Sequence, residues 1–390
     1  MKVYIDLHIH SSFSIATAKG ITIESIALWA RRKGLSIVGT GDILHPGWRK
    51  ECKEKLVPQG GGIYECNGVK FILSGEIGFV FVGSGKMRKV HLLLLYPDFR
   101  SVDAIANELS SFVNLSKDGR PTIKMSLVDF VGLVMGVSED IAIIPAHIWT
   151  PWFGILGHKG GFESLKDAFG DVLPFVVALE TGLSSDPKMG VMHPEVARFT
   201  QVSFSDAHSP AMLGREATVV EDSWNYFDIV EAWRRGKGLG TVEFFPQEGK
   251  YYYDGHRKCG VCMSPEEAES VKGICPVCGK PLTFGVLHRV FSIGDGAKRT
   301  PPHFRYIIPL RELIAHLEGK GAKSKGVERI YLSVLERCEG EIPFLMDMPI
   351  EDIKKIAGGS VADAVWSMRQ GNFEIIPGYD GVFGKISVKI

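Results

Sequence analysis

The chain is poor in side-chain amides: its 390 residues include five Asn and four Gln. Few thermolabile amides suit a protein that works hot, and genome composition bias produces the same scarcity. Cys and Met are not depleted alongside them, with seven and eleven present. Long apolar runs are missing too. None reaches the roughly 18 residues that a membrane-spanning helix needs, so no membrane association is expected. The opening residues lack the basic region, apolar core and cleavage site of a secretory signal, and a cytoplasmic location is expected. Excess charge is absent, with 45 Lys and Arg against 45 Asp and Glu. That balance argues against a binder that holds nucleic acid by a basic surface alone. It leaves room for a site where bound divalent metals supply the positive charge. The odd cysteine count, with four of the seven in two CxxC pairs, excludes a simple disulfide scaffold and points to metal in a reducing compartment.

What is present is a series of short apolar runs: VYIDL, LSIVGT, VKFILS, VHLLLLY, IAIIPA, FVVALE and VSFS. Helical patterns lie between several of them. In TIESIALWARRKG, Thr22 is placed to cap a helix, Ile23, Ile26, Ala27 and Ala30 share one face, and Gly34 ends it. Repeated strand–helix units predict an α/β fold with a parallel sheet or barrel, whose chemistry collects at the carboxyl ends of the strands.

Residues able to bind metal follow six of those runs. His8 and His10 end the first, and Asp42, Glu76, His147 and Glu180 follow later ones. Asp206 and His208 follow the last, whereas His91 lies near the start of VHLLLLY. In HxH on a strand, alternate side chains share a face, so His8 and His10 can grip one ion. Asp206 and His208 repeat that spacing, and carboxylates can bridge two ions. Mixed nitrogen and oxygen donors suit Zn, Mn or Fe.

The motifs DLHIH, GTGD, GE, PAH and SFSDAH resemble those of the polymerase and histidinol phosphatase (PHP) family, over about the first 245 residues. The resemblance implies a distorted (β/α)7 PHP barrel and metal-dependent phosphoester hydrolysis, with two or three divalent ions (Zn2+, Mn2+ or Mg2+) at its mouth. Carried over motif by motif, it implies that His8, His10, Glu76 and Asp206 hold a first ion, and Glu76, His91 and His147 a second. Asp42 and His208 would help hold a third. Two departures bear on that third ion. Asp42 stands where the family usually has histidine, and SSFSIAT lacks the histidine that commonly follows HxH. His45 either compensates or is a loop histidine in solvent.

CGVC and CPVC place Cys259, Cys262, Cys275 and Cys278 in the spacing C-x2-C-x12-C-x2-C, which predicts a structural Zn2+ site. The expected domains are 1–245, a PHP phosphoesterase; 246–300, a four-cysteine zinc module; and 301–390, a mainly helical DNA-binding region. This order, closing on PGYDGVFG, resembles the endonuclease Q family of DNA-repair enzymes along nearly the whole chain. That resemblance implies hydrolysis of the phosphodiester 5′ to hypoxanthine, uracil, xanthine or an abasic site by metal-activated water. A flipped base needs stacking partners, and Trp48, Trp149, Trp152 and Phe153 lie just beyond proposed ligands, though packing over the sheet explains them equally. The partner would be DNA carrying deaminated or abasic nucleotides, met by a monomer, with a sliding clamp as a candidate partner. Competing readings are a PHP phosphatase for a small phosphomonoester and a non-catalytic DNA-binding module.

Overall fold

Most of the apolar runs become strands buried almost throughout, covered on both faces as α/β sheets require, whereas FVVALE and VSFS keep only Leu179–Glu180 and Gln201–Val202 as strand. The structure, a computed structural model, describes residues 1–389. Strand Lys2–Asp6 runs parallel to Leu35–Gly39, which runs parallel to Val69–Gly83. Val69–Gly83 then folds back as a long hairpin onto Lys86–Tyr96, which pairs antiparallel with Ala142–Pro145. A parallel bridge from Ile143 to Val176 leads to Leu179–Glu180 and its parallel partner Gln201–Val202. Another, from Ile9 to Ala207, returns to the end of the first strand. Ala217–Glu221 adds antiparallel to Lys2–Asp6, and Thr241–Glu243 adds beyond it.

The long hairpin departs from the expected strand–helix repeat. Its two-residue turn, Ser84 at φ 50° and Gly85 at φ 71°, has the left-handed pair that suits the twist of antiparallel strands. Consequently Lys86–Tyr96 runs against its neighbours and enters from beyond the rim where parallel strands end, with His91 opposite Gly78 and Leu93 opposite Glu76.

Helix Ile23–Lys33 forms as its pattern predicts, with a Thr22–Ser25 capping box. Its left-handed cap, Gly34 at φ 75°, also makes room for the tail: a Cβ there would lie 2.3 Å from Cδ of Pro343.

After Thr241–Glu243 the chain leaves the sheet to build the cysteine module. It returns as Phe304–Tyr306, parallel to Thr241–Glu243. Helices Leu310–Leu317, Lys325–Leu335, Glu341–Met346, Ile350–Ala357 and Gly359–Arg369 follow, then the hairpin Phe373–Ile376 with Lys385–Val388. The tail shares one continuous apolar core with the sheet. Its polar anchor is buried Glu341, which pairs with Lys33 Nζ at 2.5 Å and accepts from Tyr331 Oη at 2.6 Å and Leu310 N at 2.9 Å. The PGYDG turn is a clasp. Asp380 accepts from Arg257 N at 2.6 Å and Thr283 Oγ1 at 2.7 Å, while Gly378 O accepts from Tyr253 N at 2.9 Å. Among the described residues, no helix is long and apolar enough to cross a membrane.

Candidate metal centre

His8, His10, Glu76, His91, His147, Asp206 and His208 converge at one rim of the sheet as three overlapping donor groups. The first is His8, His10 and Glu76; the second is Glu76, His91 and His147; the third is His10, Asp206 and His208. Glu76 Oε1 lies 2.7 Å from His91 Nδ1 and 3.0 Å from His147 Nε2, and those two nitrogens are 3.2 Å apart. His10 Nε2 is 3.0 Å from Asp206 Oδ1 and 3.6 Å from Glu76 Oε2. Buried His8 Nε2 has no hydrogen-bond partner, with Glu76 Oε1 at 3.6 Å and Asp206 Oδ1 at 3.8 Å. An orphaned ring nitrogen aimed between two carboxylates fits a cation, and so does a pair of ring nitrogens crowded on one carboxylate oxygen.

The backbone is bent to achieve this. Asp42, His147 and Asp206 each follow a strand in the left-handed region, at φ 44°, 32° and 48°. Non-glycine residues reach that region at a cost of about 1 kcal/mol or more each, a cost typical of functional sites.

Carboxylates behind the imidazoles set their orientation. Glu180 receives His8 Nδ1 at 2.9 Å on both oxygens and accepts from His147 N at 2.8 Å. Asp42 was expected to ligate a third ion but takes the same supporting position for His10. Its Oδ1 is 3.0 Å from His10 Nδ1, and its Oδ2 accepts from Ser11 N, Ser11 Oγ and Ser14 Oγ at 2.6, 2.7 and 2.9 Å. Its oxygens are thereby engaged, and it belongs to none of the three donor groups. Both contacts leave Nε2 facing the centre. Asp6 of the DLHIH motif staples strands instead, accepting from Ser205 N and Gly214 N, each at 3.0 Å.

Electrostatics match a cation-seeking site. Burial opposes the charged form of Glu76, yet His91, His8 and His147 hold its carboxyl well below the usual range. Burial likewise opposes charge on His8, but Glu180 and Glu76 raise it well above the ordinary imidazole value. For His10, burial is outweighed by Asp42 and Asp206, which raise it to about 10. At His91 burial prevails over Glu76 and pushes it down to about 4.

The aromatic expectations divide. Trp48 is fully buried and donates Nε1 to Thr40 O at 3.1 Å and Gly41 O at 2.8 Å, so it is packing and offers no stacking face. Trp149 is buried too, but it lines the same hollow as Trp152, Tyr251 and Phe284. Trp152 is 47% exposed and meets Tyr251 edge-on at 6.0 Å, while Phe153 stacks on His91 at 4.2 Å. His45 is buried and caps helix Pro46–Lys55, its Nδ1 accepting from Gly47 N at 3.2 Å, so it compensates for no ligand.

The cysteine module gathers a donor set that differs from the expected one at one position. His256, Cys259, Cys275 and Cys278 gather, and Cys262 stays outside the group. The reason is strand alternation. In the hairpin Asp254–His256 with Val261–Met263, Cys262 pairs with Gly255 and His256 with Val261, so Cys262 and His256 take opposite faces. His256 and Cys259 have the same two-residue gap as a CxxC pair, a signal the sequence carried in HRKC. Arg120, in the DGRP turn, carried no comparable signal, yet its Nη1 donates to Glu76 Oε2 at 3.2 Å.

The whole fold is similar to the crystal structure of a lesion-specific endonuclease from Pyrococcus furiosus, with 34% identity, a TM-score of 0.89, and coverage of 100% of this chain and 96% of that one. The chain belongs to the endonuclease Q family. A structure of endonuclease Q with a 27-mer duplex bearing an abasic lesion at the active site matches with a TM-score of 0.86 and 34% identity, over 100% of this chain and 97% of that one. The MJ0043 C-terminal domain family matches residues 309–372. The MJ0043 protein of Methanocaldococcus jannaschii is 33% identical over 288 residues, covering 69% of this chain and 36% of that protein, so this endonuclease Q family member spans about a third of that relative's length.

Proposed function

We propose that this protein is a metal-dependent DNA-repair endonuclease that hydrolyses the phosphodiester 5′ to a deaminated base or an abasic site. The observation that carries the reading is the trio of overlapping donor groups at one rim of a fold shared, at 34% identity, with endonuclease Q. The ring of strand pairings is read as the distorted seven-stranded PHP barrel, with residues 246–300 as its zinc module and 301–390 as the tail that flanks DNA.

His8, His10 and Asp206 would hold one ion with Glu76, and His91 and His147 a second through the same carboxylate. When bound, divalent ions neutralise the phosphodiester and lower the pKa of water. The residues do the positioning. Glu180 and Asp42 fix the tautomers of His8 and His10, so that Nε2 of each faces the substrate side. His208, a third exposed, reaches the same rim beside Asp206 at 3.6 Å. Trp152, Tyr251 and Phe284 line a hollow between the loop after His147 and the segment after the cysteines, where a flipped base would find stacking faces. Phe153 lies over His91 at the edge of that path.

Labelled duplexes carrying one uracil, hypoxanthine, xanthine or abasic analogue test this reading. Incision confined to the lesion strand, leaving a 3′-hydroxyl and a 5′-phosphate, is expected. Chelator abolishes it and added Mn2+ or Zn2+ restores it. Intact lesion duplexes combined with hydrolysis of a generic phosphomonoester would overturn it in favour of a small-molecule phosphatase.

A further inference from the structure

The loop joining helix Phe99–Leu109 to strand Thr122–Ile123 crosses the rim of the metal centre and is held there on several sides. Gly119 N donates to Phe13 O at 2.9 Å, and Pro121 O accepts from Gly78 N at 2.9 Å. Asp118 Oδ1 accepts from Ile15 N at 3.3 Å and from Arg120 N at 3.2 Å. His45 Nε2 meets Ser116 O at 3.2 Å. Gly119 lies so close to the centre that a Cβ would stand 2.5 Å from Cγ and Oδ2 of Asp42. These ties fix the backbone on both sides of Arg120.

Its guanidinium points inward. The side chain is 28% exposed, and Nη1 donates to Glu76 Oε2 at 3.2 Å. Among the described residues, Arg120 is the one lysine or arginine whose side chain pairs with the histidine and carboxylate cluster. Glu76 is, among the described residues, the one hydrogen-bond partner of its side chain, which leaves the rest of the planar fork unengaged. Its charge also reaches His91 and His208, where it adds to the lowering that burial begins.

A permanent cation beside the carboxylate shared by two donor groups works against metal binding there, because like charges repel at short range. Charge balance of the carboxylates therefore does not account for it. An arriving anion does. A guanidinium presents parallel N–H donors that match two non-bridging oxygens of a phosphodiester, which a lysine cannot do.

We propose that Arg120 binds the non-bridging oxygens of the scissile phosphodiester, held at the correct height by Glu76 and by the tethered loop. The inference rests on the endonuclease reading above and names the residue and the substrate atoms that meet. In this role Arg120 orients the phosphate and opposes its negative charge as the linkage is broken.

The test is a charge-deletion cycle on a duplex with one abasic analogue. The 5′ linkage is either a natural phosphodiester or a methylphosphonate, which lacks one charged oxygen. Affinity is measured by fluorescence anisotropy in a chelator too weak to strip the ion of the cysteine module, so the readout does not depend on metal-supported turnover and the fold stays intact. For the wild-type protein the methylphosphonate should weaken binding roughly 10- to 100-fold, the scale of a hydrogen bond between charged groups. Arg120→Gln should bind the natural duplex that much more weakly and lose little more on the methylphosphonate. Arg120→Lys, which keeps the charge and loses the fork, should fall between. Each variant is checked for wild-type melting temperature and zinc content, and Arg120→Lys stands in should Arg120→Gln fail that check. Equal losses from the methylphosphonate in wild type and variants would overturn the inference. A wild-type protein that neither binds nor incises any lesion duplex would instead sink the endonuclease reading itself.

Discussion

Glu180 grips His8 through the nitrogen that faces away from the metal centre, with both carboxylate oxygens 2.9 Å from Nδ1. This contact leaves Nε2 unpartnered and buried at the rim. Glu180→Gln would keep the shape and lose the charge that holds the ring. Metal affinity is expected to fall about 10- to 100-fold, the usual effect of removing such a support. Chelator competition followed by elemental analysis measures it, with little change in melting temperature of the metal-free protein.

Metal uptake should release protons. His10, raised to about 10 by Asp42 and Asp206 against the effect of burial, carries a proton at neutral pH in the metal-free protein. An ion must displace that proton, so apparent affinity rises as pH increases toward that value. Calorimetry in buffers of different ionisation enthalpy should show net proton release for wild type and less for Asp42→Asn.

Loss of His256 is expected to empty the cysteine module, while loss of Cys262 is not. The module's own core consists of Ala268, Cys275 and Leu282, too little to hold a fold without its ion. His256→Ala should lose stoichiometric zinc and become protease-sensitive between the sheet and the tail. Cys262→Ser should retain zinc in native mass spectrometry.

These contrasts separate what could be read along the chain from what could not. His8 and His10 were legible because a strand's period of two forces them to one face. Their supports were less so, since Asp42 looks like a ligand in sequence and only its bonds to Ser11 and Ser14 reveal a carboxylate already engaged. His91 looked misplaced at the start of its strand. The hairpin at Ser84–Gly85 resolves this by reversing the strand; the Ser-Gly pair marks a turn, but the sequence does not say that the returning strand crosses the rim. Trp48 had the right address for base stacking, but burial depends on distant partners that spacing does not encode. His256 joins the donor group and Cys262 stays outside it because hairpin register puts the two on opposite faces.

Stability should decline from mildly acidic to alkaline pH through a second buried group. Burial pushes Glu243 from 4.5 up to about 8, while bonds from Thr241, Ser203 and Thr181 pull the other way. Above pH 4.5 the unfolded chain gives up this proton and the folded one keeps it. The contribution is therefore complete below that value and lost as pH rises through about 8. Glu243→Gln should flatten this decline and melt several degrees higher than wild type in alkaline buffer. Neighbouring Glu216, raised well above the ordinary value by burial, leaves a residual slope. Thermal melts across about pH 5 to 9 check it.

Lys33→Met would strand the charge of Glu341 between the sheet and the tail. Removing one member of such a pair costs about 3–5 kcal/mol. Adding Glu341→Leu should recover part of that, not all, because Leu310 N and Tyr331 Oη then lose their acceptor. Urea unfolding of the single and double variants measures both steps.

The cysteine module is an excursion that starts and finishes on adjacent rungs of one ladder, Thr241–Glu243 and Phe304–Tyr306. Its two stems are pinned side by side, so it can unravel without setting the C-terminal helices adrift. On the proposed reading, metal starvation would blunt incision reversibly, and reloading the ion would have only one short segment to rebuild.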